Sequence, residues 1–166
     1  MAKTDLTKQI EQFLMRNNHK MNCFNCLEVG IVFKVKKPSK YNPNYLVDRY
    51  DTEICDFMQY DQSKDIFRCY EIKISKQDFY SKCKKTFVGN YNYYAMPKEL
   101  YEEVKHDIPD YVGVVDKLGF CIKKPKKVDL KVEKEKLLVS MLKSLNRENY
   151  KYFYKELRKE SERYWK

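Results

Sequence analysis

The chain has 166 residues and a formal net charge of +10, from 34 Lys or Arg against 24 Asp or Glu. That length supports one domain with a real core and is too short for two comfortable ones. No apolar run approaches the ~18–20 residues that span a bilayer, and Met1 to Ile10 lacks the apolar centre of a secretory signal, so a cytoplasmic protein with no membrane partner is expected.

Thr4 or Asp5 can cap a first helix reaching about Asn17, with Ile10, Phe13 and Leu14 on its apolar side. Next comes Cys23-Phe24-Asn25-Cys26, with His19 four residues ahead. A metal site here would need further ligands, for which Cys83 and Cys121 are the obvious candidates. No second such pair exists, so two thiols at a strand entrance is the plainer reading. Six Cys without a secretory signal read as reduced thiols.

Leu27 to Val35 alternates as a strand does and leads into the basic, Pro-containing loop Lys36 to Asn44. That loop reads either as a mobile DNA-facing segment or as an ordinary solvated connection. Thr52 to Tyr60 and Ile66 to Ser75 have strand character, with a turn over Asp61 to Asp65. Ser75 is a plausible N-cap, with Asp78 three residues on, for a helix running through Phe79, Lys82 and Cys83 to about Thr86. Tyr91 to Met96 is a β-prone run ended by Pro97, its tyrosines expected to pack rather than to stack on bases. Lys98 to His106 reads as a helix with Leu100, Tyr101 and Val104 inward. Val112 to Val115 is a short buried strand, and a small strand follows near Phe120 to Ile122. The β–α–β crossover implies parallel pairing.

Lys123 to Lys127 is a basic link around Pro125. From Glu133 a long helical pattern carries Leu138, Met141, Leu142 and Leu145 in one stripe. It continues through Tyr152, Phe153 and Leu157 toward Trp165, with a break left open near Asn146 to Asn149. Lys143, Arg147, Lys151, Lys155, Arg158 and Lys159 make this segment basic. A solvated face is the default, and a phosphate clamp or self-association is the sharper reading. Residues 1–127 thus form an α/β domain and 128–166 a helical extension packed on it.

The chemistry concentrates in Tyr70-Glu71-Ile72-Lys73-Ile74-Ser75 and in Asp56. Side chains alternate along a strand, so Glu71 and Lys73 share a face about 6–7 Å apart, while Ile72 and Ile74 point into an apolar layer. If Gln62 to Asp65 form a four-residue loop, position 61 faces 66 and Asp56 faces Glu71, with Cβ atoms roughly 4.5–5.5 Å apart. Opposed carboxylates repel, and a divalent cation between them reverses that sign. Glu-x-Lys alone carries little weight, because Glu103-Val104-Lys105 repeats it in a helix. Asp56, set inside Ile54-Cys55-Asp56-Phe57-Met58, gives it weight, since an apolar run is a poor place for an unpaired carboxylate.

An acidic residue, a hairpin turn and then Glu-x-Lys resembles the PD-(D/E)XK nuclease superfamily. The strings Arg68-Cys69-Tyr70-Glu71-Ile72-Lys73 and Phe87 to Pro97 resemble more specifically the MmcB-like DNA-repair group of bacteria and phages, over about residues 50–125. The resemblance implies a restriction-endonuclease-like αβββαβ core, with a mixed central sheet flanked by helices. It makes Asp56 the motif Asp, Glu71 the second acid and Lys73 the motif Lys, with Cys55 where the family name has Pro. It further implies Mg²⁺ or Mn²⁺ held by Asp56, Glu71 and the Ile72 carbonyl, an additional acid at Glu11, and an assisting Gln at Gln77. As plain residues, Glu11 is as easily solvent-facing, and Gln77 reads more readily as a surface helix residue.

The expectation is a metal-dependent nuclease acting on DNA phosphodiesters in repair, recombination or phage DNA processing. The alternatives are an inactive DNA-binding accessory factor beside a repair or recombination partner, and a phage-type interaction or inhibitor protein. Lys outnumbers Arg 28 to 6, which A/T-rich codons also produce. So few Arg argue for phosphate-backbone contacts over base-edge reading. A symmetric homodimer would suit duplex cutting.

Overall fold

The computed structural model describes residues 4–81 and 85–164, with side chains to residue 158. Lys82, Cys83 and Trp165 lie outside the described residues, as does the side chain of Lys159. Among the described residues no helix is long and apolar enough to cross a membrane.

Helix α1 (Asp5–Asn17) is capped by Thr4, whose hydroxyl accepts the Thr7 N–H. A six-stranded sheet follows in chain order: β1 (Cys23–Pro38), β2 (Leu46–Asp61), β3 (Ile66–Ile72), β4 (Tyr91–Ala95), β5 (Val112–Val115) and β6 (Cys121–Lys123). Helix α2 (Lys76–Phe79) links β3 to β4, α3 (Lys98–Val104) with a 3₁₀ turn links β4 to β5, and α4 (Lys134–Tyr164) ends the chain. β1, β2 and β3 form an antiparallel meander, β3–β4–β5 are parallel, and β6 returns antiparallel. The fold is therefore α/β with a mixed sheet.

The sheet is the middle of three layers. On one face α1 packs Ile10 and Leu14 against Phe57, Tyr70, Ile72 and Ala95. On the other face α4 lays Leu137 and Met141 over the β1–β3 meander. Beside it α2 and α3 bring Phe79, Leu100 and Val104 onto Tyr94, Val112 and Val114. The tyrosines of β4 pack as expected: Tyr94 is buried, and Tyr93 stacks on Tyr70 at 4.6 Å.

Two expectations need correction, and one point the sequence left open is decided. β1 and β2 run far past Val35 and Thr52, so Lys36, Lys37 and Pro38 are strand, and only 39–45 connect the two. This outer ribbon is largely solvent-exposed, so its sequence carries no core-facing alternation to read. Helix α2 has the expected Ser75 cap but stops after one turn at Phe79, and residues 85–88 are not helical. α4 runs through Asn146 and Asn149 without a break; Glu148 pairs with Lys151 at 2.9 Å across that point, and Asn costs a helix little.

One irregularity positions the site. Cys26 and Val29 on β1, three residues apart, belong to the same core, with Leu27 turned to the opposite one; Cys55 and Met58 do the same around Phe57 on β2. Each strand thus skips a face once, at Glu28 and at Asp56, and Glu28 takes a left-handed φ of 51°. Because both strands skip together, the register around the lesion is unbroken, Leu27 opposite Phe57 and Val29 opposite Cys55. The carbonyls freed on β1 are taken by α4: the Ser144 hydroxyl donates to Leu27 O at 2.5 Å, and Arg147 donates to Glu28 O at 3.0 Å. Distortions of this kind re-aim a side chain, and the one re-aimed on β2 is Asp56.

Candidate active site

The β2–β3 register is the one counted from the sequence. Asp61 pairs with Ile66 and Phe57 with Tyr70, which places Asp56 opposite Glu71 as the next step. The backbone ladder is not continued there. The Asp56 carboxylate instead accepts the Ile72 N–H at 2.8 Å, standing in for a strand carbonyl where β2 and β3 part. On the other side of β3, Lys73 N–H donates to Ala95 O and so extends the parallel pairing with β4. Polar backbone atoms alternate sides along a strand, so the Ile72 N–H and carbonyl both leave toward Asp56.

Glu71 is only 3% exposed. It follows Phe67 and Cys69 on the α4 face and sits beside Tyr94, at the seam between two cores. One carboxylate oxygen accepts the Thr86 N–H at 3.0 Å. Burial, followed by the charge of Asp56, pushes its pKa up to about 8, against the opposing pull of the Thr86 N–H and Lys73. Lys73 is likewise buried, at 6% exposed, with its ammonium 3.5 Å from Asp78. Asp78 in turn accepts the Ile74 N–H at 3.2 Å, and the Ser75 hydroxyl accepts the Asp78 N–H. The capping turn of α2 therefore holds the carboxylate that steadies Lys73.

Asp56, Glu71, Lys73 and Asp78 thus form one electrostatically linked group. Asp78 entered the sequence reading only as a cap, and Thr86 only as a helix end. The Asp78 signal was present in the Ser75 cap, two residues past Lys73, which fixes Asp78 three residues further on; the Thr86 amide had none.

Gln77 is exposed on α2, and Glu11 is buried on α1. Glu11 lines a shallow cavity of about 310 Å³ with Lys8, Gln12, Met15, Arg16 and Leu27. The Cys23–Cys26 pair lies within β1, where residues three apart leave opposite faces. Cys26 points into the core toward Met141 O, burial pushing its pKa up to about 11. His19 is exposed. Among the described residues no three His, Cys, Asp or Glu side chains converge as a metal cluster. The smaller set of two carboxylates and the Ile72 carbonyl still fits a hard cation, which tolerates water in its remaining positions. A raised Glu71 pKa beside an acid is the imbalance such a cation relieves.

No family model matches the sequence, and no curated protein does. Among solved structures the chain is similar to the SPO1766 protein of unknown function from Silicibacter pomeroyi. The TM-score is 0.57 at 11% identity, covering 92% of this chain and 91% of that chain. At that identity the likeness is one of fold alone.

Proposed function

We propose that the protein is a divalent-cation-dependent nuclease that hydrolyses DNA phosphodiesters. The observation that carries this reading is the group of buried Glu71 and Lys73 with half-buried Asp56 at the point where β2 and β3 separate, with Glu71 raised to about 8. The element order α1-β1-β2-β3-α2-β4 is the αβββαβ order expected of the restriction-endonuclease-like core, and it supports the same reading.

Asp56, Glu71 and the Ile72 carbonyl would hold Mg²⁺ or Mn²⁺, which supplies Lewis-acid charge and a water of lowered pKa. Asp56 is oriented for this by the Ile72 N–H, and Glu71 by the Thr86 N–H. Lys73, kept in place by Asp78, neutralises charge developing on the phosphoryl oxygens or orients the attacking water. Without a cation, Glu71 retains a proton at neutral pH, which limits repulsion with Asp56.

The test is cleavage of labelled single-stranded, duplex and branched DNA with and without Mn²⁺, by the wild type and by Asp56→Ala, Glu71→Ala and Lys73→Ala, each checked for folding. Mn²⁺-dependent cleavage that falls at least a hundredfold in each variant is expected. Cleavage persisting in all three would sink the assignment.

A further inference from the structure

Helix α4 has two apolar faces. Leu137 and Met141 look into the sheet. At 3.6 residues per turn, Val139, Leu142, Tyr150, Phe153 and Leu157 fall on one line down the opposite side, and all are exposed, Leu142 and Phe153 by about two thirds (64% and 66%). A solvent-facing line of this kind marks a binding surface rather than a core. Lys143, Arg147, Lys151 and Arg158 form a second line beside it, on which Arg147 and Lys151 also pair with Glu148.

That basic flank borders a groove of about 500 Å³ between α4 and the β1–β2 ribbon. Lys136 and Lys143, with Glu135 beside them, line the helix wall, and Lys34 and Tyr50 the ribbon wall. The Tyr50 ring is 69% exposed. Lys34 lies 2.8 Å from Asp48 and Lys136 3.0 Å from Glu133, exposed pairs that water already weakens and that a phosphate can displace.

From this juxtaposition we infer that the groove and the adjoining flank of α4 bind single-stranded nucleic acid, phosphates on the lysine and arginine line and unpaired bases on the exposed rings. The charge of the flank selects a polyanion, and the rings distinguish unpaired bases from a duplex, whose bases are already stacked. Self-pairing of two such helices in antiparallel fashion would set basic flank against basic flank. Tyr50 is six residues along β2 from Asp56, about 20 Å of strand, so a strand held here extends a few nucleotides from the acids. The inference deepens the nuclease reading by naming an unpaired substrate segment, yet it is measurable without any cleavage.

The experiment is fluorescence anisotropy in EDTA with a labelled 20-nucleotide oligo-dT and a blunt 20-base-pair duplex, using the full chain. Wild type is expected to bind oligo-dT at least fivefold more tightly than duplex. Lys136→Glu with Lys143→Glu should weaken both ligands tenfold or more. Tyr50→Ala with Phe153→Ala should weaken oligo-dT alone, at least threefold, with unfolding temperature unchanged because these side chains are exposed. Equal affinity for the two ligands, or insensitivity to both double variants, overturns the inference. So does association confined to a second copy or to anionic vesicles. Oligo-dT binding without Mn²⁺-dependent cleavage would leave the inference standing and remove the nuclease reading instead.

Discussion

Glu71 is the residue whose chemistry is most exposed to measurement. Its folded pKa of about 8 stands above the ordinary 4.5. Between those values the folded chain keeps a proton that the unfolded chain releases, so stability falls as pH rises, by up to about 1.4 kcal/mol per unit. Below about 4.5 both states are protonated, and above about 8 the whole penalty is present. Urea unfolding in EDTA should therefore show wild-type stability declining from pH 5 to 8. Glu71→Gln, which still accepts the Thr86 N–H, should be markedly flatter over that window. An equal slope in the two proteins would show that Glu71 is not the buried acid. Asp56→Asn should shift the decline to lower pH, because the charge of Asp56 is the second cause of the shift. The register that sets Asp56 level with Glu71 was legible because hairpin counting is a local rule; the face skip that turns Asp56 toward Ile72 was not. The Thr86 amide and the tie of Asp78 to Lys73 were not, because each depends on how a later segment folds back over β3.

At the scale of elements, α4 supports the site through the strand it caps. Ser144 and Arg147 satisfy the Leu27 and Glu28 carbonyls beside the double face skip that turns Asp56 toward Ile72. Ser144 is buried, so Ser144→Ala leaves Leu27 O only the longer 3.4 Å contact from Arg147 and should cost about 0.5–1.5 kcal/mol in chemical denaturation. A loss under 0.5 kcal/mol, on that same scale, would mean that the contact is incidental. Most elements were readable from caps and periodicity, down to Thr4, Ser75 and the 61–66 hairpin. The outer β1–β2 ribbon was not, because strands exposed on both faces leave no apolar alternation. The end of α2 at Phe79 was missed because Lys82 and Cys83 prolong a helical pattern that the chain does not follow through Thr86.

The whole molecule places a group of three acids, Asp56, Glu71 and Asp78, in a chain of net charge +10. The two are complementary if the cation mediates between the carboxylates and a polyanion that the surface lysines attract. Affinity for DNA should then fall linearly in log–log form with salt, with a slope of about −0.7 to −0.9 per phosphate contacted. A flat salt response would point to a protein partner in place of nucleic acid. The central claim remains the cation itself, and Mn²⁺ binding followed by electron paramagnetic resonance tests it without substrate. Wild type should bind one Mn²⁺, more tightly at pH 8 than at pH 6 because the ion displaces the Glu71 proton, and Asp56→Asn and Glu71→Gln should each lose it. Binding that is pH-independent and unchanged in both variants would contradict the account.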